Sequence, residues 1–249
     1  IWRIDLLNGN PVADFAEGGV LASLGGAANA PTPSIEQVRR FYNQVDVANV
    51  VGVVGERFLA VNVGSGFRAH PLDRDTDEVF FSVRDFTVNS VIPTDEYPPP
   101  VEFDELVDIT GIGDVEITYG AKGWRMTMDA SPGEKVLAPS VTFGGTIFFP
   151  SFSPGSGANA CTAVAGQNRL YAISLFNGFT VVDEPFIQLQ QGGIAPEVEL
   201  IPVPPEPNSD PNGDPADDPD DVACVGTECV NVPLADPITR TYWTQDGAQ

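Results

Sequence analysis

Gly123-Trp124-Arg125-Met126-Thr127-Met128-Asp129, Pro132-Gly133-Glu134-Lys135-Val136-Leu137-Ala138-Pro139, Val141-Thr142-Phe143-Gly144-Gly145-Thr146-Ile147-Phe148-Phe149 and Leu170-Tyr171-Ala172-Ile173-Ser174-Leu175-Phe176-Asn177-Gly178 decide the fold class. Each piece either alternates apolar and polar residues or is a short run of β-formers. Gly or Pro separates the pieces, the pattern of consecutive antiparallel strands. Gly144-Gly145 between two apolar runs predicts a tight hairpin, because both glycines accept the positive φ such turns require. Asn177-Gly178 predicts a second turn. The stretch from Gly123 to Gly178 therefore reads as one four-stranded sheet of a larger β array.

An internal echo extends that reading. Ile1-Trp2-Arg3-Ile4-Asp5-Leu6-Leu7-Asn8-Gly9 matches Leu170 to Gly178 position by position, ending both times in Asn-Gly. A strand repeated together with its turn is what a propeller or solenoid produces, since each unit closes against the next. At about 40–45 residues per blade, the 249-residue chain suits five or so blades.

Composition agrees with an all-β class: 25 Gly and 23 Pro punctuate frequent aromatic and β-branched residues. The formal net charge is −23, with Lys122 and Lys135 as the two lysines. Such a surface repels nucleic acid and anionic lipid headgroups, which argues against phosphate binding. It attracts divalent cations or keeps a protein soluble in salt. No apolar run approaches the 18 residues of a membrane span. The chain opens inside a strand without Met, so it is expected to be a fragment or a processed piece of something longer.

Cys224-Val225-Gly226-Thr227-Glu228-Cys229 can close a small disulfide loop, with Gly226 easing the turn. A metal–thiolate site fits less well, because His70 is the one histidine and two cysteines in one loop make an incomplete set. Cys161 is left over. A disulfide implies an oxidising compartment.

Between these landmarks, Phe58 to Val63, Val79 to Phe86 and Val115 to Tyr119 read as strands, and Phe179 to Gln190 as a strand pair. Ser34 to Tyr42 is ambiguous, with a capping-box pattern at Ser34 and Gln37 but an apolar approach to Val45-Asp46-Val47; a strand is the preferred reading. Phe103 to Ile109 suits a short helix. Arg68 and His70 are two apart in an expected extended segment and so share a side; Arg68 is read as bracing a loop or a neighbouring blade through carboxylates and carbonyls rather than as a polar contact site. From Gly192 the composition shifts, and no Lys or Arg occurs between Arg169 and Arg240. The expected organisation is propeller blades over 1–192 and an acidic Pro/Asp-rich loop with a closing segment, Tyr242-Trp243 included, over 193–249.

The acidic loop carries Asn208, Asp210, Asn212 and Asp214 at alternate positions, with Gly213 for a bend and Asp217 beyond. Calcium takes six to eight oxygen ligands at about 2.3–2.6 Å, and this spacing can supply them. A terminal Glu is missing and prolines interrupt the register, so a calcium loop and a solvated acidic linker both stay open. Catalysis has little support: His70 has no nucleophile at an informative spacing, and no phosphate loop or zinc pattern occurs.

Several stretches taken together resemble the C-terminal β-propeller of PilY-type proteins, the tip adhesins and biogenesis factors of type IV pili. They are Ile1 to Leu6, Gly64-Ser65-Gly66-Phe67-Arg68-Ala69-His70-Pro71-Leu72, Phe81 to Asp85, Gly123-Trp124, Pro132 to Leu137, Ile147-Phe148-Phe149-Pro150-Ser151-Phe152-Ser153-Pro154 to Cys161, and Leu170 to Ile173. The resemblance covers roughly residues 1–180. It implies a quinoprotein-like propeller, non-enzymatic, serving outside the cell as a rigid scaffold in pilus extension, retraction and adhesion, with minor pilins, the pilus tip complex and host or surface ligands as partners. The family's EF-hand-like calcium loop lies upstream of the segment resembling Trp2 to Leu6, so its metal site maps onto no residue here. Rival readings are a pyrroloquinoline-quinone-dependent dehydrogenase on a similar propeller and an outer-membrane assembly scaffold.

Overall fold

The computed structural model describes residues 1–25, 34–51, 55, 57–88, 90–111, 115, 117–118, 120–155, 165–201 and 221–232. Within them the chain is all-β, with four single 3-10 turns as its other regular elements. In order, the strands are β1 (Trp2–Leu6), β2 (Ala16–Val20), β3 (Ala22–Ser23), β4 (Asp46–Val51), β5 (Arg57–Gly64), β6 (Val79–Asp85), β7 (Val101–Glu102) and β8 (Val107–Asp108). They continue as β9 (Gly123–Thr127), β10 (Val141–Phe143), β11 (Thr146–Ser153), β12 (Gln167–Ser174), β13 (Ile187–Leu189), β14 (Val198–Ile201), β15 (Asp221–Val225) and β16 (Glu228–Val232).

The strands form sheets that follow one another along the chain and pack face to face. A five-stranded sheet has the order β4-β5-β6-β9-β8, a four-stranded sheet β10-β11-β12-β13 and a three-stranded sheet β14-β15-β16. Ahead of them lie the hairpin β1-β2 and the parallel pair β3-β7. Strand alternation sends successive side chains to opposite faces, so one sheet serves two cores. In β6, Phe80 points to the core shared with the four-stranded sheet, where it joins Phe58, Trp124, Ile147, Phe149 and Ile173. Val79, Phe81 and Val83 point the other way, to a core with Ala22, Leu24 and Val101. In β12 the same logic places Tyr171 and Ile173 on the first core, and Leu170 and Ala172 against Val198, Ala223 and Val225 of the three-stranded sheet.

The seam between the two large sheets is built on stacked aromatic rings. Phe80 stacks on Phe149 at 3.8 Å with an interplanar angle of 6°, and Phe149 stacks on its cross-strand partner Tyr171 at 5.1 Å. Each such buried ring contributes about 1.5–3 kcal/mol by leaving water. Across the seam Asn62 Nδ2 donates to Thr142 Oγ1 at 2.9 Å, and Arg84 donates to the carbonyl of Phe176 at 2.8 Å.

The hairpin β1-β2 is polar on its inner face. Arg3 pairs with Asp85 at 2.8 Å and with Asp5 at 3.1 Å, and donates to the carbonyls of Thr87 and Ser90. Glu17 accepts from the amide and hydroxyl of Thr94 at 2.7 and 2.6 Å. Tyr97 lies flat against Gly19, where any Cβ would run into its ring. The outer face of the hairpin carries Trp2, Ile4 and Leu6 in the open, at 71%, 62% and 66% exposure.

The hairpins read at Gly144-Gly145 and Asn177-Gly178 are both present: β10 pairs with β11 across the first, and Ile173 bridges Thr180 across the second. Gly144, Gly145 and Gly178 all have positive φ. The single four-stranded sheet expected over Gly123 to Gly178 is divided. Strand β9 pairs with β6 in the five-stranded sheet, and the turn at Pro132-Gly133 carries the chain across the seam to its neighbour. Ser34 to Tyr42 is not a strand: Ile35–Gln37 make one 3-10 turn, Gln37 Oε1 accepts from the Ser34 amide at 3.4 Å, and pairing starts at Asp46. The helix expected from Phe103 shrinks to a 3-10 turn over Phe103–Glu105, after which Val107–Asp108 joins β9 in parallel. Val115 to Tyr119 falls partly outside the described residues, and of its described members Ile117 fills the main core. Segment 193–249 contributes β14, β15 and β16, while Tyr242-Trp243 lies outside the described residues. Sheets of two to five strands replace uniform blades, and among the described residues they do not close a ring.

Candidate functional site

The segment Pro132 to Pro139 crosses from one large sheet to the other and carries two consecutive buried charges, Glu134 and Lys135, each 1% exposed. Lys135 is anchored by backbone hydrogen bonds with Phe152 in both directions, at 2.9 and 2.8 Å. Adjacent residues of an extended segment point to opposite sides, so the two charges enter separate environments. The Lys135 ammonium donates to the carbonyls of Pro71, Asp73 and Gly133 at 3.1, 2.6 and 2.6 Å, which uses all three of its hydrogens. Burial lowers its pKa, against the attraction of Glu78 and Asp73. It ties the loop 67–73 to the turn at Gly133.

Glu134 faces the four-stranded sheet. One carboxylate oxygen accepts from the hydroxyls of Ser151 and Tyr171, the latter at 3.0 Å. The other pairs with Arg169 at 3.3 Å. Arg169 donates onward to Ser153 at 2.8 Å and Ser131 at 2.6 Å, and its guanidinium lies 4.8 Å from the Phe186 ring centre. Burial, then the Glu134 carboxylate, push the Tyr171 hydroxyl far above its ordinary pKa, so it remains a donor. A second buried acid, Glu78, accepts from the Ser65 hydroxyl at 2.6 Å and the Phe67 amide at 3.0 Å. Burial raises its pKa, partly offset by those hydrogen bonds and by Lys135.

These groups make an internal frame of polar contacts, in which Glu134 Oε2 has its ion pair with Arg169 but no hydrogen bond, and Arg169 Nε has no hydrogen-bond partner. Each charge meets hydroxyls, carbonyls or an opposite charge, which is what makes its burial tolerable. Chemically the frame can hold sheets in register. No hydroxyl in it is paired with a histidine base, the arrangement that activates a nucleophile. Nothing in the spacing announced it: Arg169 lies inside an apolar strand, Glu78 just before one, and Glu134 and Lys135 in the segment that links the two sheets, and a charge beside apolar β-formers is the one available signal.

The residues singled out from the sequence are dispersed. Cys224 and Cys229 face each other across β15 and β16 and form a disulfide, with Gly226 at positive φ in the turn. Arg68 donates to the Leu137 carbonyl, as a brace would. The segment around it is a turn, with the His70 amide donating to the Phe67 carbonyl at 3.0 Å, so the shared side expected for Arg68 and His70 in an extended strand does not arise. His70 packs edge-on against Phe67 at 4.7 Å. Asn208, Asp210, Asn212, Asp214, Asp217 and Cys161 lie outside the described residues. Among the described residues no three His, Cys, Asp or Glu side chains gather to hold a metal, and no helix is long and apolar enough to cross a membrane.

Surface hollows lie beside β13 and beside the hairpin β1-β2. One, of about 820 Å³, is lined by Val181 to Gln188 and Asn231, with Phe186 joining it to Arg169 and Tyr171. The other, of about 540 Å³, lies beside the hairpin and is walled by Trp2, Val20, Leu24, Phe41 and Val45.

No family model and no curated protein matches the sequence. Among solved structures, the chain is similar to the crystal structure of the Pseudomonas aeruginosa PilY1 C-terminal domain, with a TM-score of 0.58 and 11% identity. The match covers 95% of this chain and 56% of that one, so this chain spans about half the length of its structural relative. Over nearly all of its length, the chain has a fold found in the PilY1 C-terminal domain.

Proposed function

We propose that the chain is a non-enzymatic part of a type IV pilus system: a rigid, propeller-like scaffold acting outside the cell in pilus assembly, retraction and adhesion. The observation that carries this is the likeness to the PilY1 C-terminal domain over 95% of the chain. Two features support a scaffold. The buried charges are spent on holding sheets together, as Glu134 and Lys135 illustrate. The net charge of −23 favours solubility and steers basic protein surfaces toward the molecule.

Minor pilins and the pilus tip complex are the partners in this reading. Purified chain is presented to minor pilins and whole pili, with calcium and with chelator. Capture by minor pilins is the expected result, and absence of capture in both conditions overturns the docking role. Calcium binding through Asn208, Asp210, Asn212, Asp214 and Asp217 belongs to the same proposal. Titration calorimetry tests it: binding heat that disappears when Asp210 and Asp214 become Asn is expected, and no heat removes the site.

A further inference from the structure

The nine-residue echo repeats a reactive dipeptide as well as a strand: Asn8-Gly9 after β1 and Asn177-Gly178 after β12. In an Asn-Gly pair the glycine amide nitrogen can attack the carbonyl carbon of the asparagine side chain. The amide proton goes to solvent base, a five-membered succinimide closes, and Nδ2 leaves as ammonia. Water then opens the ring at either carbonyl, giving aspartate or isoaspartate. The attack needs a glycine amide free to lose its proton, an untethered carboxamide, and room for the backbone to bring the nitrogen onto that carbon. The two sites share a sequence and differ in all three respects.

At Asn177-Gly178 the fold denies each requirement. The Gly178 amide donates to the Ser174 carbonyl at 2.9 Å, and Asn177 Oδ1 accepts from the Phe179 amide at 3.1 Å. Gly178 is buried, and a Cβ added there would meet Ile109 at 2.9 Å and Ile117 at 3.1 Å. The nitrogen is therefore engaged and shielded from base, and its backbone is wedged.

At Asn8-Gly9 every requirement is met. Leu7 to Asn10 form a turn closed by the Asn10 amide donating to the Leu7 carbonyl at 3.2 Å, with Gly9 in third position at φ 94°. The amide of the third residue takes no part in the hydrogen bond that closes such a turn. Among the described residues, neither the Gly9 amide nor the Asn8 carboxamide has a hydrogen-bond partner. Both residues are exposed, and nothing lies within 4 Å of where a Gly9 Cβ would stand. Pairing with the other strand begins at Leu7, whose amide donates to the Phe15 carbonyl at 2.7 Å. The extra backbone methylene of an isoaspartate at position 8 thus falls inside the turn and outside the paired register.

We propose that Asn8 is a site of spontaneous backbone modification in the folded protein, converted through a succinimide to isoaspartate and aspartate, while Asn177 is held unreactive by its turn. Water is the only other reactant. The product sets one more carboxylate on the β1-β2 turn of a chain whose net charge is already −23. The proposal does not rest on the pilus reading.

The test incubates the purified 249-residue chain at mildly alkaline pH, folded and in denaturant. Site-resolved peptide mapping by mass spectrometry reads aspartate and isoaspartate at each pair, and keeps Asn212-Gly213, which lies outside the described residues, apart. In the folded chain Asn8 is expected to convert at least about 10-fold faster than Asn177, because Asn177 reacts only through opening of its turn. In denaturant the two rates should converge. A folded-state rate at Asn8 no greater than that at Asn177 overturns the proposal. So does an equal gap in denaturant, which would assign the difference to neighbouring sequence. Aspartate without isoaspartate at Asn8 would mean direct hydrolysis and overturns the succinimide route. Asn8→Gln, which would have to close a slower six-membered ring, should remove the signal from its peptide; a signal that persists there belongs to Asn10 and overturns the assignment.

Discussion

The same nine-residue pattern occurs twice in this molecule and meets opposite fates. In β12 and the residue after it, Tyr171, Ile173 and Leu175 are 3%, 0% and 1% exposed and pack into the central seam; in β1, Trp2, Ile4 and Leu6 are about two-thirds exposed. Both strands end in Asn-Gly turns with the glycine at positive φ. Local sequence therefore sets strand and turn, whereas burial is set by whether another sheet lies opposite. A strand pattern is a statement about which face wants covering, and the rest of the chain decides whether it is covered.

The comparison breaks most visibly at the buried apolar positions. Ile173→Ala is expected to cost about 2–5 kcal/mol in denaturant unfolding, the range for emptying a packed core. Ile4→Ala should stay within about 0.5 kcal/mol in the 249-residue chain, as exposed positions do. Similar costs at both sites would show that the hairpin face is covered after all.

A smaller effect is expected at the aromatic positions. Tyr171→Phe removes a donor to the Glu134 carboxylate and should cost about 1–3 kcal/mol. It should also change the alkaline limb of stability. The folded pKa of Tyr171 is raised above the unfolded value of 10.0, so the contribution is complete below pH 10 and is lost as pH rises beyond it. Melting followed from pH 9 to 11 should fall less steeply in the Phe variant. Trp2→Phe has no such group to remove and should leave the profile unchanged.

Glu78 sharpens the contrast between frame and surface at the other end of the pH scale. Its pKa is raised by burial, so its contribution is complete below the unfolded value near 4.5 and is lost as pH rises through the folded one. Glu78→Gln should flatten the stability profile above pH 4.5. The hairpin acid Glu17 shifts in the other direction, lowered by its Thr94 hydrogen bonds.

The turns give the smallest difference. Gly9→Ala and Gly178→Ala both place a side chain at positive φ, at about 1–2 kcal/mol. At Gly9 the new methyl meets nothing within 4 Å, whereas at Gly178 it meets Ile109 at 2.9 Å. Gly178→Ala is therefore expected to be the costlier of the pair in thermal melts.

The central strands and the turns were legible because their signals are local, whereas Ser34 to Tyr42, read as a strand, holds one 3-10 turn. Gly144-Gly145 and Asn177-Gly178 announce positive φ, and Cys224 with Cys229 bracket a turn that Gly226 permits. Sheet membership was not legible. Trp124 and Ile147 both read as strand residues, and nothing local says that Pro132-Gly133 takes the chain from one sheet to the next. The polar frame was equally hidden, because the partners of Glu134 come from Ser151, Arg169 and Tyr171, set by register across a sheet rather than by spacing. Arg68 was readable as a brace, since a rigid fork of donors beside Gly-rich backbone has few other uses.

Amide hydrogen exchange of β1 against β12 tests the central claim most directly. If covering by a neighbouring sheet decides the fate of the motif, amides of Leu170 to Ser174 exchange only through global unfolding. Those of Trp2 to Leu6 exchange through local opening at much lower free energy in the 249-residue chain. Equal protection of the two strands in that chain would contradict the account.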